Sequence, residues 1–320
     1  MNRRPILDGI VGAIVFVALT ILGLAVSARF VPQTAALDGI VRVADNLAFH
    51  LLGGVAIIGC FLWLVRVRWV GAVLILASIG CGVWMYSDFR KHTLPLVQAQ
   101  DGAGLDLVFF NVLALGFDRA PMVADALIAT NADVIILSEA NLLSTEIDRL
   151  QDHFAVTSGC EEGEVCEILI LSRTSAIQVN RSLRLSNEIA GRYAQIGVTV
   201  DGQPLTIVAT HLFKPWFSGF SWNEHARLRR FIGRIDGPVV VTGDFNAAPW
   251  SYQVNRLLEV RDLYAVRWPL ASWPVWAGRF GVPIDQMLVG QGARLASIAP
   301  YGDGLGSNHR GIRATVVIEN

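Results

Sequence analysis

Hydrophobic positions along the 320-residue chain fall into two regimes. The first part carries them in long unbroken runs. Residues 9–28 (GIVGAIVFVALTILGLAVSA) and 69–87 (WVGAVLILASIGCGVWMYS) contain no charged side chain, and residues 46–65 (NLAFHLLGGVAIIGCFLWLV) contain only His50 as an ionisable group. Each run approaches the ~20 residues a helix needs to cross a bilayer. The first is longer than the ~7–15-residue apolar core of a cleaved signal peptide, and two more follow it. The pattern predicts a membrane domain of three transmembrane helices over residues 1–87. A polar stretch over 88–104, SDFRKHTLPLVQAQDGAG with its preceding Ser87, reads as a tether.

From Leu105 to residue 320 the runs shorten and alternate. LDLVFFNVLA, DVIILSEA, EILILS, YAQIGVTV, PLTIVATH, PVVVTGD, IDQMLV and IRATVVI read as strands. PMVADALIAT, with Pro121 suited to a first turn, and WNEHARLRRFIGRI read as helices. Many strands with few interleaved helices predict an α/β domain: a two-sheet β-sandwich flanked by outer helices.

Composition sharpens this division. Hydrophobic residues make up 53% and charged residues 17%, with a mean hydropathy of +0.47, and the apolar excess sits in the first 87 residues. Arg3 and Arg4 precede the first run, and Arg66 and Arg68 lie between the second and third. That bias puts those flanks in the cytoplasm and residues 105–320 outside it, tethered to the inner or plasma membrane. Arg90 and Lys91 pull the other way. The formal net charge of −1 excludes a generic polyanion binder. Arg227, Arg229, Arg230 and Arg234 read as a solvated helix face. Cys60 and Cys81 lie in the apolar runs, where a thiol acts as a small apolar group. Cys160 and Cys166 bracket EEGEV, and spacing leaves open whether they form a disulfide.

Several strands end on polar groups: Asn111, Glu139, His211, and the Asp244/Asn246 pair in VVVTGDFNAAPWS. A carboxylate at the exit of a buried strand is costly unless a cation uses it. These endings, taken with FFNVLA, DVIILSEA, ATHLFKPW, PIDQMLV and GSNHRGIRA in that order, resemble the endonuclease/exonuclease/phosphatase superfamily over residues 104–320. SWP at 272–274 and the apolar N-terminal runs resemble its membrane-anchored bacterial branch.

The resemblance implies a four-layer DNase I-like fold and a Mg²⁺-dependent phosphoesterase, with Mn²⁺ as a substitute. Glu139 matches the principal metal ligand. Asn111 matches the amide that supports metal and phosphate. Asp244 matches the acid that orients or deprotonates the attacking water, and Asn246 an amide donor to phosphate oxygens. His309 matches the histidine that faces the scissile phosphate, and Asp285 the acid paired with it. His211 matches a second histidine near the leaving-group oxygen. Where the family has Ser-Asp-His, this chain has Ser307-Asn308-His309, so the expected metal ligand Asn308 keeps an oxygen and loses the charge. Leu113 stands where abasic-site nucleases carry an acid, which disfavours that branch. His50, His92, His153 and His225 fit no motif.

The expected substrate is a phosphodiester, of a nucleic acid or of a lipid headgroup or other small phosphoester. Phe213, Trp216, Phe217, Phe220 and Trp222, and later Trp268, Trp273, Trp276 and Phe280, crowd loops where rings suit either stacked bases or a bilayer interface. The bilayer is the other expected partner, and nothing calls for an obligate protein partner. Asn308 alone supports the competing reading, a catalytically weak binding module. A transporter is disfavoured because the apolar runs offer no polar pathway.

Overall fold

The computed structural model describes residues 4–32, 37–99, 103–113, 116–159, 166–175, 178–180 and 192–319. It divides into two compact units. The first comprises Met1–Lys91 with the short segments Pro215–Gly219 and Trp250–Tyr252, and the second comprises His92–Lys214, Phe220–Pro249 and Gln253–Asn320.

The first unit holds helices α1 (Arg4–Ser27), α2 (Asp38–Asn46), α3 (Ala48–Leu64) and α4 (Arg68–Arg90). Among the described residues, Asp8–Ser27 and Arg68–Arg90 are long and apolar enough to cross a membrane. The pair α2 and α3, bent by 78° at their junction, is a third candidate if it counts as one span. The second apolar run begins at the tail of α2, and α3 alone has 17 residues. The polar face of α2 explains the break: buried Arg42 bonds to Asp38 Oδ1 (2.9 Å) and to the carbonyls of Ala28 (2.8 Å) and Val31 (3.1 Å). α3 and α4 cross backbone to backbone at Gly59 and Gly71. A Cβ on Gly71 would stand 2.5 Å from the Gly59 oxygen. Small residues permit this approach between apolar helices.

The second unit runs β1 (Thr93–Leu94), β2 (Leu105–Asn111), α5 (Ala120–Ala129), β3 (Val134–Ser138), α6 (Ile147–Gln151), β4 (Val156–Ser158), β5 (Ile168–Ser172), β6 (Gln178–Asn180), β7 (Tyr193–Val200), β8 (Gln203–His211), α7 (Ser218–Ile232), β9 (Val239–Asp244), α8 (Tyr252–Leu258), β10 (Ala265–Val266), β11 (Asp285–Gly290), β12 (Ala293–Tyr301) and β13 (Gly311–Ile318). Among the described residues one sheet has the order β12-β13-β2-β3-β5-β4 and the other β11-β9-β8-β7-β6. The segment read as a tether supplies β1, which pairs in parallel with β10, and Val97 N–H donates to the Leu295 carbonyl (3.0 Å). Cys160 lies outside the described residues, and with it the question of a bridge to buried Cys166.

Period-two alternation builds the sandwich. Leu107 and Phe109 of β2, Ile136 of β3 and Ile170 of β5 face Ile196 and Val198 of β7, Ile207 of β8 and Val240 of β9 in one core. The alternate residues of the first sheet, Val108, Phe110, Ile135 and Leu137, pack under Val123, Ala124 and Leu127 of α5. Both faces of β2 and β3 are buried, so their sequences read as continuous apolar runs rather than alternating ones.

β9 lies in parallel beside β8, with Gly243 opposite Thr210. A Cβ at Gly243 would stand 1.8 Å from the Thr210 carbonyl oxygen. Gly243→Ala therefore has to part the two strands, and the expected loss is about 3 kcal/mol or more in urea unfolding. A loss below about 1 kcal/mol would show that the strands yield without cost.

Candidate active site

Register places the polar strand ends in two rows. In the second sheet His211 of β8 pairs with Asp244 of β9, and Asp244 pairs with Asp285 of β11. In the first sheet Asn111 of β2 pairs with Ser138 of β3, and Glu139 follows at once. Glu139 has φ 53°, a left-handed conformation uncommon for a side chain with a Cβ and characteristic of functional turns.

Asn111 joins the rows. Its Oδ1 accepts from the Leu113 N–H (3.0 Å), so its amide NH₂ must turn the other way. There Nδ2 donates to Glu139 Oε1 (3.2 Å) and to Asp244 Oδ2 (3.1 Å). The Asn111 carbonyl in turn accepts from Ser307 Oγ (2.7 Å), and that hydroxyl oxygen accepts from the His309 N–H (3.0 Å).

Each histidine rests on an acid. His309 Nδ1 lies 2.9 Å from Asp285 Oδ2, and His211 Nδ1 lies 2.5 Å from Glu167 Oε1. Both rings therefore turn Nε2 inward, at 3.7 Å (His211) and 4.0 Å (His309) from the same Asp244 Oδ2. His211 Nε2 is also 3.8 Å from Glu139 Oε1. The other oxygen of Asp244 accepts from the Asn246 N–H (2.8 Å), and Asn246 Nδ2 donates to the Leu212 carbonyl (2.8 Å).

The electrostatics follow from burial and neighbours. Burial of Asp244, reinforced by the Asp285 charge, raises its pKa, against the lowering effect of His309, His211 and the Asn246 N–H. Burial disfavours a charged His309, but Asp285, with Asp244 and Glu139, outweighs it and raises the ring to about 9. Burial also opposes ionisation of Glu167, and contact with His211 and the Arg192 charge overcome it, holding that carboxyl low.

The structure thus brings together seven expected residues: Asn111, Glu139, His211, Asp244, Asn246, Asp285 and His309. Asn308 joins none of these contacts. Its side chain is exposed and joins no hydrogen bond among the described residues, while its carbonyl accepts from the Val275 N–H (2.9 Å). Glu167 was not foreseen. It precedes β5 outside any motif, and an acid abutting the apolar run ILILS was its one signal. Ser272, in the SWP stretch, is fully buried and its Oγ accepts from the N–H groups of Ile284 (3.1 Å) and Asp285 (3.0 Å), fixing the acid behind His309. Trp268, Trp276 and Phe280 are 70%, 85% and 80% exposed, on the same loop as Val275.

Glu139, His211 and Asp244 offer ligand atoms within 4.8 Å of one another, as do Asp244, Asp285 and His309. Two carboxylate oxygens separated only by the Asn111 amide suit a hard divalent cation, which prefers oxygen ligands and keeps several waters. Glu139 and Asp244 would hold it, and the ion would neutralise charge on a phosphoryl oxygen.

Solved structures share the fold at low identity. D. rerio TDP2 complexed with a single-strand DNA product aligns with a TM-score of 0.54 at 18% identity, over 66% of this chain and 98% of that one. Endonuclease/exonuclease/phosphatase proteins from Bacteroides vulgatus (0.53, 14%, 68% and 99%) and Beutenbergia cavernae (0.51, 18%, 68% and 72%) align similarly. No curated protein matches the chain. The model of the endonuclease/exonuclease/phosphatase family matches residues 108–309, a stretch that contains every polar group of the two rows. The chain belongs to that family and is a metal-dependent hydrolase of phosphoester bonds.

Proposed function

We propose that this chain hydrolyses phosphodiesters of a nucleic-acid strand with Mg²⁺, from a membrane-bound position with the second unit outside the cytoplasm. The observation that carries the reading is the pair of buried histidine–acid dyads presenting two Nε2 atoms to one carboxylate oxygen of Asp244. Asp244 takes a proton from the attacking water. His309, charged near neutral pH and anchored by Asp285, donates through Nε2 to a non-bridging phosphoryl oxygen. His211 donates to the leaving oxygen. Asn246 is an amide donor to the phosphate oxygens.

The exposed tryptophans supply flat faces for unpaired bases. The structural neighbour with a single-strand DNA product accords with that choice. The membrane position rests on the apolar length of α1 and α4.

The test is a substrate panel on the full chain with Mg²⁺ or Mn²⁺: single- and double-stranded DNA, RNA, phospholipid vesicles and a phosphomonoester. Single-stranded DNA is expected to be cleaved fastest, with losses of about 1,000-fold in Glu139→Ala and His309→Ala. Turnover confined to the vesicles would assign a lipid headgroup instead, and no turnover with any divalent ion would leave a binding module.

His309 also makes stability depend on pH. Its pKa is higher in the folded chain (about 9) than in the unfolded one (6.5), so its contribution is complete below pH 6.5 and lost as pH rises through about 9. With chelator present, urea unfolding is expected to show a decline on the order of 3 kcal/mol across that window. His309→Gln should remove the decline, and an unchanged slope in that variant would refute the assignment.

A further inference from the structure

Behind His211 lies a charged chain that the reaction itself does not use. Arg192, 7% exposed, immediately precedes β7. Its Nη1 donates to Glu167 Oε1 at 2.8 Å, the same oxygen that meets His211 Nδ1. Its Nε stands 3.3 Å from Glu224 Oε1 on α7. Glu224 Oε2 accepts from the Phe213 N–H (2.6 Å), and the Arg192 carbonyl accepts from the His211 N–H (3.0 Å). The guanidinium also lies over the Phe213 ring, 4.4 Å from its centroid. The guanidinium therefore holds the acid under His211 by a hydrogen bond and meets by charge Glu224, which in turn holds the backbone two residues on. A buried trio of two carboxylates and a guanidinium is a poor investment for stability alone, since apolar groups of similar volume do as well or better.

We propose that Arg192 is a positioning residue for His211: by fixing Glu167 and the 211–213 backbone together, it aims His211 Nε2 at the leaving-group oxygen. The inference rests on the proposed role of His211 as proton donor. In that step the water oxygen bonds to phosphorus and its proton passes to Asp244. The bond from phosphorus to the leaving oxygen breaks, and that oxygen receives the proton on His211 Nε2. Mis-aiming the ring penalises only leaving groups that need the proton. A merely structural arginine slows all substrates alike.

The experiment compares two diester substrates that share a thymidine phosphate: one loses p-nitrophenolate, which departs without a proton, and one loses a second thymidine, whose sugar oxygen has to be protonated to leave as the alcohol. The full chain is assayed with Mg²⁺ as wild type, His211→Asn, Arg192→Gln and Arg192→Lys. The ratio of kcat/KM on the two substrates is independent of the fraction of folded enzyme. His211→Asn is expected to lose about 100-fold more on the alkoxide substrate than on the aryl one, and Arg192→Gln about 10-fold more. Arg192→Lys keeps the charge but cannot span both glutamates, and should fall between Arg192→Gln and wild type. Equal slowing of both substrates in the Arg192 variants, with discrimination intact in His211→Asn, would overturn the positioning role. Failure of both Arg192 variants to fold would overturn it too, by making the residue structural. A His211→Asn variant that does not discriminate would instead overturn the reading of His211, and the inference with it.

Discussion

The site depends on one side-chain amide. Asn111 ends a strand of the first sheet, yet its NH₂ group reaches a carboxylate of each sheet, Glu139 at 3.2 Å and Asp244 at 3.1 Å. Two buried or half-buried acids this close repel each other, and an amide with two donors is a compact way to hold them together without cancelling their charge. Because the Leu113 N–H occupies the oxygen of Asn111, the amide has one stable orientation. The Ser307 hydroxyl extends the same restraint to His309. The sandwich is thus tied at its catalytic edge by polar contacts and in its interior by apolar ones.

Around that tie the two histidines are treated alike. Each sets Nδ1 against an acid and turns Nε2 toward Asp244. The difference lies in what backs each acid: the hydroxyl of Ser272 secures the backbone of Asp285, whereas a guanidinium secures the carboxylate of Glu167. One support fixes position through a neutral group, and the other brings a full charge into the interior.

Much of this was legible in the chain because the groups sit at strand ends. An apolar run that stops on Asn, Glu, His or Asp announces both the strand and the edge where it stops, which is how Asn111, Glu139, His211 and Asp244 stood out. Glu167 and Arg192 lacked that signal, since each precedes its strand and works through a partner remote in sequence. β12 escaped notice because ARLASIAPY mixes buried and exposed residues without a clean period, and α8 because seven residues give too few turns to show one. The apolar count brought out α1 and α4, but α2 mixes Asp38, Arg42 and Asp45 with its apolar residues, so only its last residue entered the second run.

The register row of His211, Asp244 and Asp285 has a consequence for what the scaffold can become. Neighbouring strands lie about 4.8 Å apart because peptide hydrogen bonds set that repeat. Three groups mounted on adjacent strands inherit the repeat as a ruler. Their spacing is graduated by the backbone rather than by the exposed rings of Trp268, Trp276 and Phe280. The loop that carries those rings can vary around them without moving a mark on the scale, as long as Ser272 keeps its hold on the Asp285 backbone.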